Sequence, residues 1–369
     1  MNVEREIAGF ALPFTAGILI TAYSGAIFCG NFMVIPVIAY SLIFCSTTNL
    51  IRKEFLANSD LMLRLFISAG AVGAGLLSGY TAQNCFSLHD NRLMTMAQLM
   101  GANIQSAIES IPFNSEQTGA LIKALLTGDR ASLSPHIRQI FRASGASHIL
   151  ALSGLHLGII YGILVKSFSI FGNSQTMKAL RAFIIICICG FYTMMTGAGD
   201  SLIRAFLFII LGEITKLTGR YHGLGQILLT SLIVQLTLFP KAVFSVGFQL
   251  SYAAMAGIAF IYPWLKGFWP EDKEAYWLGK PIKWIWNSSA LSISCQLTTG
   301  PLAYLYFGSI PMNFILTNLL ALPLAGLVIP ASLATLGFSL LGHCPSIIIS
   351  YTEFLVSALV WSLEVIASM

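Results

Sequence analysis

The sequence predicts an all-α fold: a polytopic bundle of about 10–11 transmembrane helices with an external amphipathic helical segment. Two observations carry this prediction. Hydrophobic residues make up 56% of the 369 residues and charged residues only 9%, whereas soluble domains carry about 25% charged residues. Apolar runs of about 20 residues, the length that crosses a bilayer, also recur along the chain. Most of the surface is therefore expected to face lipid.

The candidate spans divide the chain into three regions. We predict an amino-terminal three-span region at 1–83, external amphipathic helices at 84–146, and a polytopic core at 147–369. Two later spans carry helix breakers, Gly300 and Pro301 in one and Pro323 and Pro330 in the next, and are expected to kink or split. The candidate spans are 9–28, 32–51, 62–81, 147–171, 179–196, 201–217, 224–239, 248–265, 285–307, 313–341 and 346–366.

Loop charges predict the orientation of the bundle. Arg52, Lys53 and Arg64 follow the second span, and Lys and Arg accumulate in cytoplasmic loops. This loop and the amino terminus are therefore expected to be cytoplasmic, in a multi-pass protein of the cell inner membrane. Alternating from there places roughly twice as many basic residues inside as outside, which agrees with the positive-inside rule.

The segment 84–146 is too polar to span and too apolar for a soluble domain. Leu93, Met96, Met100, Ile104 and Ile108 recur at steps of three and four, which is typical of one helix face. Further short helices are predicted at 116–126 and after Ser134, a cap residue followed by proline. Amphipathic helices beside a membrane lie in its interface, so we expect an external platform resting on the outer leaflet.

Polar side chains in the string SHILALSGLHLG (147–158) interrupt the fourth span. His148, Ser153 and His156 are costly at membrane depth unless they face a cavity. One interpretation is a helix that unwinds to line an aqueous path; the other is a kinked helix with interfacial histidines. A third, weaker hypothesis is an intramembrane serine nucleophile, although a base three residues away on the same helix is unsuited to that role.

Other polar residues inside apolar runs extend this set. Asp200 and Arg204, four residues apart, share a helix face. Asp200 and Arg204 either line a conduit or only anchor their helix in the membrane. The amide side chains of the later spans either line the same conduit or join helices to one another. The predicted channel-lining residues are His148, Ser153, His156, Asp200, Arg204, Gln249, Gln296 and Asn318.

Basic residues near the third external helix are candidates for phosphate contact. Arg130, Arg138 and Arg142 lie beside His136; the alternative is a solvated or headgroup-facing surface. The six histidines are scattered, and neither they nor the seven cysteines form a metal-ligand cluster. No GxxxxGK[ST] string is present. We therefore expect no cofactor, no metal and no enzymatic activity.

Several strings, in order, resemble the competence domain of the ComEC family. These are channel proteins through which transforming single-stranded DNA crosses the bacterial cytoplasmic membrane. The resemblance implies an inner-membrane channel that imports single-stranded DNA during natural transformation. The alternatives are a transporter of another anionic polymer or small solute and, less favoured, an intramembrane hydrolase. The strings are ALLTGDR, FRASGASHILALSGLHLG, GAGDSLIRAFLF, FSVGFQLSYAAMAGIAF, CQLTTGPLAYLYFGSIP and NFILTNLLALPLAGLVIPASL.

The chain departs from longer family members in two places. Residues 80–120 leave no room for their external OB-like domain, and no HxHxDH string marks their metallo-β-lactamase-like domain. We therefore expect a short form without the family's nuclease activity. A separate DNA-binding protein, a nuclease and a cytoplasmic ATP-driven motor are the expected partners, besides DNA and the lipid bilayer.

Overall fold

A computed structural model describes residues 2–27, 60–84, 92–170, 172, 174–219, 223–269 and 279–369 of the chain. These residues form helices joined by short connections, and none of them forms a strand. The all-α prediction is therefore confirmed. The predicted span 32–51 and the orienting charges Arg52 and Lys53 lie outside the described residues.

The helices group into two compact units: Met1–His89 with Thr218–Tyr252, and Asp90–Leu217 with Ala253–Met369. A π-helical turn, Gly257–Ile261, lies inside the helix Val246–Lys266. The helices are α1 (Asn2–Ile27), α2 (Asp60–Asn84), α3 (Arg92–Glu109), α4 (Glu116–Thr127), α5 (Pro135–Ala143), α6 (Ser147–Leu150), α7 (Gly154–Phe168), α8 (Gln175–Met195), α9 (Asp200–Thr218), α10 (Leu224–Leu238), α11 (Val246–Lys266), α12 (Gly279–Phe307), α13 (Phe314–Leu340) and α14 (Ser346–Ala367).

Among the described residues, four helices are long and apolar enough to cross a membrane: α8, α11, α13 and α14. Shorter apolar segments lie in α1, α2, α7 and α10. The membrane character of the fold is thereby confirmed. The total of about 10–11 spans stays a prediction.

Glycines allow α1 and α2 of the first unit to pack backbone to backbone. A β-carbon on Gly17 would collide with the carbonyl oxygen of Val72, and one on Gly75 would collide with that of Phe14. The Thr21 hydroxyl donates to the carbonyl oxygen of Leu76 across the contact, at 3.1 Å. Small residues that permit such close approach are a common basis of helix association in membranes.

In the second unit, α4 and α5 bury their apolar faces against protein. Leu125, Ile137 and Phe141 are almost completely buried, in one core cluster with Val328 of α13 and Leu359 of α14. The expectation that these faces rest on the outer leaflet is therefore corrected, because the membrane-type helices α13 and α14 cover them. The strong amphipathicity that suggested a lipid surface is satisfied by packing against other helices.

The helix α3 has two apolar faces instead of one. Ala97 and Ile108 are buried, whereas Met96, Leu99 and Met100 are more than half exposed. The periodic run seen in the sequence therefore mixes two faces. Only the outward face is available to lipid.

Polar contacts fix the segment that contains α3, α4 and α5 in place. Both the backbone N–H and the Nδ2 of Asn114 donate to the carboxylate of Glu353 on α14, at 2.5 and 2.7 Å. Lys123 forms ion pairs with Glu109 and Asp129 at 2.7 and 3.0 Å. The segment is therefore tied to the bundle by hydrogen bonds as well as by apolar packing.

Candidate functional site

The chain leaves the helical path between α6 and α7. Ala151 and Ser153 have extended backbone conformations, with φ/ψ of −74°/125° and −129°/173°. The break falls inside the apolar run where the sequence predicted an unwound segment. It exposes the amino-terminal end of α7, where the first backbone N–H groups lack intrahelical acceptors.

Ser153 and His156 form a reciprocal cap on α7. The Ser153 hydroxyl oxygen accepts from the N–H of Leu155, and His156 Nδ1 accepts from the N–H of Ser153, both at 3.3 Å. An accepting Nδ1 places the proton of a neutral imidazole on Nε2. His156 is 1% exposed, and its Nε2 finds no hydrogen-bond partner in the described part of the chain. No orienting acid for a serine nucleophile is therefore seen there.

Arg204 brings a buried positive charge to the start of α7. The residue is 8% exposed, and a β-carbon on Gly154 would lie 3.0 Å from its Nη2. Its guanidinium carbon also lies 5.9 Å from the centre of the Phe208 ring, a cation–π distance. Asp200 is the first residue of α9, one turn before Arg204. The glycine leaves the space that the arginine head group fills.

His148 lies on α6 and Asn318 lies on α13. His148 Nδ1 lies 3.1 Å from the carbonyl oxygen of Gly145, to which it donates as the Nδ1–H tautomer. Asn318 Nδ2 donates to the Ser292 hydroxyl on α12 at 3.2 Å. His148 is exposed.

Gln296 lies one turn after Ser292 on α12 and therefore shares its face. Contacts join α7 to α9, at Gly154 and Arg204, and α12 to α13, at Ser292 and Asn318. That the predicted residues on these helices and on α6 line one path stays a prediction: His148, Ser153, His156, Arg204, Gln296 and Asn318.

Gln249 belongs to the first unit. Its Nε2 donates to the carbonyl oxygen of Val243 at 2.8 Å, within that unit. That it shares a path with the other residues stays a prediction.

The three arginines predicted to contact phosphate are all exposed. Arg138 folds back, and its Nη2 donates to the carbonyl oxygens of Arg130 and Ala131 at 2.6 and 3.1 Å. Arg142 lies in the last turn of α5, whose opposite face is buried. Arg130 and Arg142 present their charges outward, whereas Arg138 also stabilises the preceding loop.

Sequence reasoning missed a buried acid in α9. Glu213 is 7% exposed and accepts hydrogen bonds from the Tyr161 hydroxyl on α7 at 2.5 Å and from Lys216 at 2.8 Å. Lys216 also donates to the Tyr161 hydroxyl. The available signal was an acid inside an otherwise apolar run, three residues before a lysine. Its position near the end of the predicted span concealed it.

Comparisons with known proteins agree with this architecture. The sequence model of a family described as Competence protein matches residues 125–369. "Uncharacterized protein YcaI" of Escherichia coli is 28% identical over 65% of this chain and 31% of its own length. "ComE operon protein 3" of Bacillus subtilis is 33% identical over 37% of this chain and 17% of its own length.

A third relative, "Recombination protein 2" of Haemophilus influenzae, is 24% identical over 55% of this chain and 26% of its own length. The chain thus spans less than a third of the length of each of these three relatives. No solved structure matches it significantly. No group of three or more candidate metal ligands occurs among the residues that the structure describes.

Proposed function

The chain belongs to the competence protein family, and from this premise we propose that it is an inner-membrane channel for single-stranded DNA. The family's description as Competence protein supports a link to DNA uptake. The amino terminus lies in the cytoplasm, and the segment 84–146 lies outside. The region 1–83 and the core 147–369 form the membrane part. In this proposal the protein conducts DNA and performs no chemistry on it.

The observation that carries this proposal is the buried charge of Arg204 beside the start of α7. A single strand carries one negative charge per phosphate, so its path through the membrane must be hydrated and must not repel anions. Arg204 is a cation held in the protein interior. The adjoining helices α6 and α7 carry His148, Ser153 and His156, none of which is negatively charged. Asp200 is one turn from Arg204 and partly offsets its field.

The exposed arginines of the external segment supply an entry surface in this proposal. Arg130, Arg138 and Arg142 attract the phosphate backbone from outside before the strand reaches Arg204. A separate DNA-binding protein and a nuclease deliver the strand, and an ATP-driven motor on the cytoplasmic side pulls it. These partners supply functions for which the sequence contains no motif.

Replacement of Arg204 tests the proposal. Arg204→Gln removes the charge and keeps much of the volume, so the protein should insert and fold yet lose most DNA uptake in transformation assays. Arg204→Lys should retain part of it, because the charge remains. The matched control is Lys178→Gln, which removes an exposed charge and should leave uptake unchanged. Normal uptake by Arg204→Gln, at normal protein levels, would refute the channel role of this residue.

A further inference from the structure

Two buried amide atoms, one on α12 and one on α13, make no hydrogen bond to the described part of the chain. Gln296 Nε2 and Asn318 Oδ1 are both shielded from solvent and have no hydrogen-bond partner within the described ranges. The two residues lie near each other, because Asn318 Nδ2 donates to Ser292 at 3.2 Å and Ser292 is one turn from Gln296. One of the free atoms is a donor and the other is an acceptor.

Such atoms are unusual in a folded protein. Most buried polar groups are hydrogen-bonded, and one that is not destabilises the fold. Amides that only join helices would use these atoms on each other or on neighbouring backbone. Gln235 shows that pattern, since its Oε1 accepts from the Tyr252 hydroxyl at 3.0 Å. Helix association therefore does not account for the missing hydrogen bonds of Gln296 Nε2 and Asn318 Oδ1. A ligand that carries both donors and acceptors would supply them.

We propose that Gln296 and Asn318 contact the nucleobases of the passing strand, while Arg204 contacts its phosphates. This inference rests on the proposed function. The hydrogen-bonding edge of every natural base contains at least one acceptor, and most contain a donor as well, so a donor and an acceptor together serve any sequence. The backbone of the strand then faces α7 and α9, and its bases face α12 and α13. A strand bound between these helices displaces the side chains that now cover the two amide atoms.

A glycine lies beside the free donor of Gln296. The nearest atom to a β-carbon placed on Gly300 would be Gln296 Nε2, at 3.6 Å. Gly300 is itself buried, so the donor lies in the interior beside a residue without a side chain.

The test is binding of two strands to the purified protein in lipid nanodiscs. One is an ordinary oligodeoxynucleotide of mixed sequence, and the other is an abasic deoxyribose-phosphate strand of the same length. The wild-type protein should bind the ordinary strand about tenfold more tightly than the abasic strand, as expected for one or two hydrogen bonds. Gln296→Met should lower the affinity for the ordinary strand toward that for the abasic strand. Arg204→Gln should weaken binding of both.

Stability measurements separate this role from a structural one. Gln296→Met removes an unpartnered amide, so its melting temperature should stay equal to that of the wild type or rise. Gln235→Met, the matched control, removes a bonded amide and should lower the melting temperature without changing the preference for bases. Asn318→Leu provides a second variant for the base contact.

The outcomes are distinguishable. If the wild-type protein binds neither strand, the proposed function fails and this inference fails with it. If it binds both strands equally, or if Gln296→Met weakens both equally, strand binding stands and the base contact is wrong. A lower melting temperature for Gln296→Met would assign the amide to helix association and overturn the inference.

Discussion

The guanidinium of Arg204 lies over the α-carbon of Gly154, at the point where α7 begins after its break. A β-carbon at Gly154 would be 3.0 Å from Nη2 of Arg204 and 3.2 Å from the β-carbon of Ala205. The two helices therefore approach each other because position 154 has no side chain. The position of the buried charge depends on that approach.

Gly154→Ala should displace the Arg204 head group and lower DNA uptake several-fold, with little change in folding. Gly158 lies one turn later on the same helix, and a β-carbon placed there would meet no atom within 4 Å. Gly158→Ala should therefore leave uptake unchanged and stabilise the protein by about 0.5–1 kcal/mol. Uptake assays and thermal unfolding of both variants check this pair. Equal uptake by the two variants would contradict the role assigned to Gly154.

Ser153→Ala should lower the free energy of unfolding by about 1 kcal/mol, the usual effect of losing a helix cap. The reason is that the Ser153 hydroxyl oxygen accepts from the N–H of Leu155. Ser153→Asp should restore most of the loss, since a carboxylate caps as well. Denaturant titration in detergent measures both. Covalent labelling of Ser153 by a serine-directed fluorophosphonate would instead support the hydrolase alternative.

The ion pairs of Lys123 should make stability depend on pH. The pKa of Lys123 is raised above 10.5 because its ammonium donates to Glu109 and Asp129. The pKa of Asp129 is lowered from 3.8 because the N–H of Ala131 and the Lys123 ammonium donate to it. The contribution of Asp129 to the free energy of unfolding is present above pH 3.8 and is lost as pH falls through its lowered pKa. The contribution of Lys123 is present below pH 10.5 and is lost as pH rises through its raised pKa.

Lys123→Met should consequently lower the free energy of unfolding by about 2 kcal/mol between these limits. The loss should shrink toward both pH extremes. Unfolding measured across pH checks the prediction, with Lys280→Met as the control because Lys280 is exposed. An equal effect of both variants at neutral pH would show that the ion pairs of Lys123 contribute nothing specific.

Cysteine labelling should reveal the orientation of the chain. Ser115 is exposed and its side chain makes no capping hydrogen bond, so Ser115→Cys should fold normally. In a background without reactive native cysteines, a membrane-impermeant maleimide should label it in intact cells. Lys178→Cys, on the predicted cytoplasmic side, should be labelled only after permeabilisation. The reverse pattern would invert the topology.

The break before α7 could be predicted from the sequence because Ser153 and Gly154 interrupt an apolar run with residues that favour helix starts. The burial of α4 and α5 could not, because an amphipathic face has the same pattern whether it meets lipid or protein. Glu213 was missed for a related reason: a charge near a helix end resembles an interfacial residue until its partner Tyr161 is known. Contacts between distant segments, such as Asn114 with Glu353, leave no periodic signal.

The charges of α9 have a consequence for the order of biosynthesis. Arg204 and Glu213 would each disfavour transfer of an isolated helix into the bilayer. Their partners, Gly154 and Tyr161, belong to α7 and precede α9 in the chain. By the time the ribosome has completed α9, the helix that receives both charges has already been made. Insertion of α9 therefore depends on α7 being present at the translocon. A defect in α7 should appear first as a failure of α9 to integrate into the membrane.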